Sequence, residues 1–313
     1  MNELRINPLN ENKIIFCPDR MKRPKDIKVA KEKKSNAKKC PFCPGNEYMT
    51  PPEIFRLGGK KWKTRVFENA FPIFKPEKGK IKKINKMFLL KPAFGYHEII
   101  VESPNHNSTF VNYEHVKNTI ETYIQRFRYL SKLKNVNHIS IFKNYGRNAG
   151  ASLTHPHSQI ITTSFLPDEI KNEIKHKESD LMKKIIDEEI SSERFIFKRG
   201  NFVCFAPFFS EYPYEVWIVP KRKIRNILFL KNKEKIELSK SLQTIIRAMK
   251  KVLGNFSYNM NVKQTIKHDY HMRITISPKL EIRGGFEIDT NAIINTAIPK
   301  KVAKLIRAKL KSL

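Results

Sequence analysis

The sequence predicts an α+β protein built from two related units, and three observations carry that prediction. The order strand–strand–helix–strand occurs twice along the chain. A charged amphipathic helix over residues 167–193 lies between the two occurrences and links them. The chain has 313 residues, 40% of them hydrophobic and 21 of them Phe, enough apolar material for two cores of ordinary size. The expected division is 1–190 and 191–313.

In chain order, residues 1–30 are extended, with turns at Asn7-Pro8 and Pro18-Asp19. A Lys-rich connector from Asp26 to Lys39 runs into Cys40-Pro41-Phe42-Cys43-Pro44-Gly45-Asn46. Its prolines and glycine mark a loop. Lys63 to Glu68 alternates as a strand does, and Glu98-Ile99-Ile100-Val101-Glu102 is a β-branched run ended by Ser103-Pro104. Val116, Ile120, Tyr123, Phe127 and Leu130 share one face of a helix over 113–133. Ile139 to Phe142 is a strand leading into the glycine-bearing loop Asn144 to Gly150, and His155 to Thr163 alternates again. The second half restarts with strands at 195–197, 202–205 and 215–220. A helix at 232–253, a strand at 271–276 and a terminal helix at 299–311 complete it.

Composition excludes several classes. No apolar run is long enough to cross a bilayer, and Met1 to Pro8 has no apolar signal segment, so the expectation is a cytoplasmic protein with no membrane partner. Four cysteines in so long a chain argue against a disulfide framework. The net charge of +31, from 61 Lys+Arg against 30 Asp+Glu, attracts polyanions. The lysines are scattered through a chain also rich in Ile and Asn, which a generic basic surface explains as well, so charge alone does not give the function.

Two motifs carry chemistry. His155 and His157 lie two apart on a strand-like segment, so both point to one face. One can be fixed while the other attacks, provided its second nitrogen is held by an acceptor. Gln159 is next on that face and can bond a phosphoryl oxygen, and backbone N–H groups of Gly146 to Ser152 can cradle phosphates. The plain alternative is a pair of surface or metal-only histidines. The second motif, Cys40-x-x-Cys43, suits a metal or a redox pair. Flanking prolines disfavour the helix start that a redox pair needs. With no second CxxC and no nearby HxxxH, distant residues would have to complete a metal site. Free thiols in a turn are the plain alternative here.

His155-Pro156-His157-Ser158-Gln159, preceded by Asn144 and Gly150-Ala151-Ser152, resembles the galactose-1-phosphate uridylyltransferase branch of the histidine-triad superfamily. The likeness extends in order through Asn7-Pro8-Leu9, Pro18 to Pro24, Cys40 to Asn46, Asn69-Ala70-Phe71-Pro72, Tyr212 to Glu215, Gly284-Gly285-Phe286-Glu287 and Asn295. It implies two histidine-triad-like domains, each an antiparallel sheet with packed helices, with the catalytic histidines only in the first. It implies a ping-pong reaction in which His157 attacks the α-phosphorus of a UDP-hexose, releases hexose 1-phosphate, and passes the nucleotidyl group to a second sugar phosphate. Gln159 would stabilise the transferring group, Ser152 and Gly150 would face phosphate, and Arg20 and Arg23 would hold the diphosphate. Asn69, Phe71 and Asn144 would line the nucleoside pocket, and Glu287 and Asn295 would contact the hexose.

The resemblance also completes the metal site. Cys40 and Cys43 would join His106 and His155 around one structural zinc. Some relatives carry a second metal on a glutamate and three histidines. Here Glu173 and His271 match, but Arg273 and, by a looser alignment, Lys263 stand where histidines would, and cationic side chains are poor ligands. The expectation is a lost second site, with Arg273 paired to Glu173. A homodimer is also implied. Two other readings stand beside the uridylyltransferase: an ADP-sugar or dinucleotide phosphorylase of the same family, and a basic zinc-bearing nucleic-acid-binding protein. The last leaves HxHxQ unexplained, so a nucleic-acid partner is disfavoured.

Overall fold

Side chains alternating between two faces build the centre of the molecule, seen in a computed structural model that describes residues 1–22, 37–77, 79, 82–85, 87–175 and 181–313. Strands β1 (Glu3–Ile6) and β2 (Lys13–Phe16) form an N-terminal hairpin. β3 (Glu53–Leu57), β4 (Thr64–Glu68), the short pair β5 (Lys82–Lys83) and β6 (Leu89–Leu90), and β7 (His97–Val101) follow. Helix α1 (Tyr113–Leu130), β8 (His138–Tyr145) and β9 (His157–Thr163) end the first half. Over the described residues, the expected linking helix is α2 (Asp168–Lys175) and α3 (Leu181–Ser191). The second half contains β10 (Phe195–Arg199), β11 (Phe202–Phe205), β12 (Val216–Pro220), α4 (Asn232–Leu253), β13 (Tyr258–Lys263), β14 (Arg273–Pro278), α5 (Gly285–Thr290), β15 (Ile293–Asn295) and α6 (Pro299–Leu310). Among the described residues, no helix is long and apolar enough to cross a membrane.

Ten strands make one antiparallel sheet in the order β10-β11-β12-β14-β13-β8-β9-β7-β4-β3. The order reads as a duplication. Each half runs three strands, a long helix and two more strands, and the two innermost strands, β8 and β13, pair antiparallel at the centre. The α+β class is borne out, and the two halves share a single antiparallel sheet. Phe142 faces Asn261 across the central pairing. Gln159 lies beside Phe142, and Thr275 lies beside Asn261. Counting back two residues on each outer strand puts Arg273 where the first half has His157. His271 likewise falls where the first half has His155.

One face of the sheet carries the long helices. α1 packs on α4, and α4 on α6, over Ile100, Ile141, Ile160, Ile218, Val262 and Ile274. Burial of a side chain of this size contributes roughly 1.5–3 kcal/mol. α1 starts where it does because the Asn112 side chain accepts the His115 backbone N–H, satisfying one free helical donor. The opposite face divides between two covers. Leu9, Ile14 and Phe16 of the N-terminal hairpin pack with α3 on Val203, Phe205, Trp217 and Val219 of the second half. There β2 pairs in parallel with β15. Over the first half, the loop holding Cys40, Phe42 and Cys43 packs on Phe67, Ile99 and Val101.

Beneath β9, on the helix side, lies a fully buried polar cluster. Lys143 Nζ donates to Glu102 Oε2 at 2.6 Å and approaches the His157 carbonyl at 3.4 Å. Ser158 donates to the other Glu102 oxygen, Tyr123 bonds Ser158 at 2.5 Å, and His115 Nε2 lies 3.1 Å from Glu102. Burial alone would raise the Glu102 pKa, but Lys143 and His115 outweigh it and hold the carboxyl at about 2. The folded value lies below the unfolded one, so the cluster's contribution is complete above pH 4.5 and is lost as pH falls towards 2. Removing one partner strands a buried charge, so Glu102→Gln or Lys143→Met alone should cost about 3–5 kcal/mol in denaturant unfolding at neutral pH. The double variant should cost less than the sum, and Glu102→Gln should flatten the loss of stability between pH 4.5 and 2. Additive single effects would show that the cluster is not a unit.

Candidate active site

His157 opens β9 because Pro156, having no N–H, cannot join the ladder, and the expected strand start at His155 moves two residues on. His155 stays outside the strand and turns towards the cysteine loop. Its Nδ1 lies 3.6 Å from Cys40 Sγ and 3.5 Å from Cys43 Sγ. His106 Nδ1 lies 3.2 Å from Cys43 Sγ, and all four ligand atoms fall within 4.8 Å of one another. A tetrahedral ion with ordinary metal–sulfur and metal–nitrogen bonds has ligand edges of about 3.5 Å. The cluster therefore has the dimensions to hold a metal ion. His155 Nε2 donates to the Ser103 carbonyl at 2.8 Å, which leaves the Nδ1 lone pair facing the sulfurs. Burial pushes the His155 pKa down to about 4, so the ring is neutral and able to ligate. Burial and then the adjacent Cys40 push the Cys43 thiol up to about 11, and a cation beside its sulfur would favour the thiolate. Asn46 Nδ2 donates to the Cys40 carbonyl at 2.9 Å and to the Lys38 carbonyl at 3.1 Å, holding the loop closed.

His157 is held by the same short segment. Its Nδ1–H donates to the His155 carbonyl at 2.8 Å, so Nε2 carries the lone pair. Burial holds its pKa below the ordinary histidine value, only partly offset by that bond. The Phe42 ring meets the His157 ring edge-on, with centroids 5.4 Å apart, and fixes its tilt. A neutral imidazole with one nitrogen pinned and the other basic can act as a nucleophile.

Gln159, two residues along the same face, is half-buried, and its Oε1 lies 2.7 Å from His97 Nε2. Asn69 sits on the other side of His97, and Phe71, fully exposed, donates its N–H to Asn69 Oδ1 at 2.9 Å. A cavity of about 310 Å3, lined by Asn69, Phe74, Lys75, Tyr96 and His97, opens beside this group. Asn144, at the end of β8, accepts from Asn259 Nδ2 at 2.8 Å, and the same Asn259 amide donates to the Ala149 carbonyl at 2.9 Å. This ties the loop over residues 146–152 to β13. Gly146 and Gly150 turn that loop at φ +81° and +85°, and a Cβ at Gly146 would collide with the Ser257 side chain. Ser152 is exposed on the segment that leads into His155.

Arg20, Glu287 and Asn295 gather elsewhere, around the β2–β15 pairing. Arg20 is exposed on a 3-10 turn, Pro18–Lys22, just beyond Cys17, whose N–H donates to the Asn295 carbonyl at 2.9 Å. Glu287 caps α5, its oxygens accepting the N–H groups of Gly284 at 2.9 Å and Ile294 at 3.0 Å. Asn295 is fully buried, donating to the Ser210 carbonyl and accepting from Ala297. Arg23 lies outside the described residues. Sequence reasoning missed His97, Lys143, Asn259 and the role of Phe42. Alternation along β7 puts His97 on the site face, but only the β7–β9 pairing brings it to Gln159.

At the matching place in the second half, Arg273 donates to both oxygens of Glu173, at 2.7 and 2.8 Å, and Tyr270 OH donates to the same carboxylate at 2.7 Å. The guanidinium lies 4.6 Å over the Trp217 ring. Lys263 pairs with Glu169. His271 Nε2 donates to the Pro220 carbonyl at 2.6 Å, much as His155 does to Ser103. Both oxygens of Glu173 are occupied by a cation, and this donor set does not fit a metal ion.

The model of the galactose-1-phosphate uridyl transferase N-terminal domain matches residues 1–167, and a domain of unknown function, DUF4921, matches residues 102–313. An ADP-glucose phosphorylase of Arabidopsis thaliana is 31% identical over 97% of this chain and 92% of its own length. A galactose-1-phosphate uridylyltransferase of Thermotoga maritima is 29% identical over 98% of each chain. Among solved structures, an Arabidopsis thaliana ADP-glucose phosphorylase with bound ADP-glucose superposes with a TM-score of 0.84 at 29% identity, covering 98% of this chain and 99% of that one. A uridylyltransferase structure superposes at 0.77 with 25% identity, covering 100% and 99%.

Proposed function

We propose, from the premise that this chain belongs to the galactose-1-phosphate uridylyltransferase family of nucleotidyltransferases, that it transfers UMP from a UDP-hexose to a hexose 1-phosphate through a nucleotidyl group on His157. The observation that carries the reading is the His157 imidazole, with Nδ1–H bonded to the His155 carbonyl and the lone pair on Nε2. In the first step the Nε2 lone pair forms a bond to the α-phosphorus. The bond from that phosphorus to the bridging oxygen breaks, and its electron pair leaves on hexose 1-phosphate. Nδ1 keeps its proton, and the His155 carbonyl stabilises the charge that develops on the ring. In the second step a phosphate oxygen of the acceptor attacks phosphorus, and the electron pair returns to Nε2. Gln159 lies two residues along the same face, where its amide can bond a phosphoryl oxygen. Asn69, Phe71 and Asn144 would face the nucleoside, and Gly150 and Ser152 the phosphates.

A second reading has an observation in its favour. Likeness to the Arabidopsis thaliana ADP-glucose phosphorylase spans nearly the whole chain, which supports an ADP-hexose donor and inorganic phosphate as acceptor. Both readings share the first step. Single-turnover transfer from UDP-glucose, UDP-galactose and ADP-glucose, followed by release to galactose 1-phosphate or phosphate, separates them. The expected result is fast transfer from one nucleotide class, reduced roughly a thousandfold or more by His157→Ala. Transfer unchanged in that variant would sink both.

We further propose that Cys40, Cys43, His106 and His155 hold one zinc ion, and that the Glu173–Arg273 pair leaves no second site. When bound, the ion supplies position only: it fixes His155, and so the carbonyl that holds His157. A homodimer, which the resemblance implies, would give a light-scattering mass twice that of the chain. Metal analysis should find about one zinc per chain, absent from Cys40→Ser/Cys43→Ser, with turnover down by roughly ten- to a hundredfold. Two metals per chain would overturn the reading of the second half.

A further inference from the structure

His97 sits between two parts of the site, and its bonds settle an ambiguity in Gln159. The Ile73 backbone N–H points at His97 Nδ1 at 3.2 Å. A backbone N–H can only donate, so Nδ1 is the acceptor and the ring proton is on Nε2. His97 Nε2–H therefore donates to Gln159 Oε1 at 2.7 Å. The reverse arrangement, with Gln159 donating, would need a proton on Nδ1 facing the Ile73 N–H. Asn69, oriented by the Phe71 N–H, places its Nδ2 3.4 Å from Nδ1 and 3.1 Å from Nε2, too evenly to meet the single lone pair on Nδ1 head-on. The ring is buried, and burial holds its pKa below the ordinary histidine value, so it stays neutral.

With Oε1 occupied, the Gln159 NH2 group is the end turned away from His97 and available to a phosphoryl oxygen. His97 also lines the cavity beside Asn69 and Tyr96, and Ile73 belongs to the loop that borders it. One ring thus touches the cavity wall on one edge and sets the amide on the other. Resting on the proposed nucleotidyl transfer at His157, we propose that His97 is a positioning residue that holds the Gln159 amide with its NH2 towards the transferring phosphoryl group and links that orientation to the loop at Asn69–Ile73.

Single-turnover nucleotidylation of His157 at saturating donor tests this, with thermal midpoint and metal content as controls for folding. His97→Ala should slow transfer by roughly tenfold, the scale of a misplaced group, while donor affinity moves by less than about threefold. Gln159→Ala combined with His97→Ala should be no slower than Gln159→Ala alone, because the histidine acts only through the glutamine. His97→Gln can accept from Ile73 and donate to Gln159, and should recover most of the rate. His97→Asn reaches Ile73 but not Gln159, and should not. A loss confined to donor affinity, a double variant slower by the full His97→Ala factor, or equal rates for the Gln and Asn variants would each overturn the proposal. If His97→Ala does not fold, the Gln and Asn pair decides. Wild-type protein that takes no label from any donor would sink the proposed function itself, a distinguishable failure.

Discussion

Everything at the site depends on the three residues His155-Pro156-His157. The ring of His155 is held from both nitrogens, by the cysteine cluster and by the Ser103 carbonyl. Its own carbonyl then holds Nδ1 of His157. Pro156 keeps the backbone between them out of the ladder, while its carbonyl accepts the Glu102 N–H at 3.1 Å and ties the segment back to β7. A metal in the cluster would thus set the His157 ring, the proposed nucleophile, through a chain of two contacts. The buried Glu102–Lys143 pair supports the same strand from its other face, so the strand that carries the His157 ring is held from both sides of the sheet.

The duplicated architecture makes the second half an internal control. The same sheet position that presents a neutral, pinned imidazole in the first half presents a guanidinium in the second. There the ring-to-carbonyl bond survives at His271, but among the described residues the cysteine loop has no counterpart. The N-terminal hairpin and α3 cover that face instead, and two acidic side chains of α2 meet Arg273 and Lys263. The halves thus differ both in the side chain at this sheet position and in the cover over the open face of the sheet.

Much of this was legible in the sequence. Alternating and helical periodicities located α1, α4 and the strands from β7 to β12, and the HxHxQ and CxxC motifs marked the nucleophile candidate and two of the four cluster ligands. The likeness to a known family supplied His106 and the Glu173–Arg273 pairing, which spacing alone could not give. β13 escaped notice because Asn259, Asn261 and Lys263 make its open face polar, yet it joins the two halves. His97 escaped because its meaning depends on strand pairing, and β7 meets β9 only after a helix and β8 intervene. The full use of Glu287 and Asn295 in backbone bonds is likewise invisible until β15 is seen against β2. Periodicity reports a residue's face, whereas partners across a sheet are set by topology.

In the proposed reaction Nε2 of His157 is the atom that takes the nucleotidyl group. Phosphorus NMR of the protein mixed with a nucleoside diphosphate hexose, together with peptide mapping by mass spectrometry, tests it most directly. The expected result is a phosphoramidate resonance and a nucleotidyl mass on the peptide carrying His157, bonded at Nε2. A nucleotidyl group on any other side chain, or on Nδ1 of that ring, would contradict it.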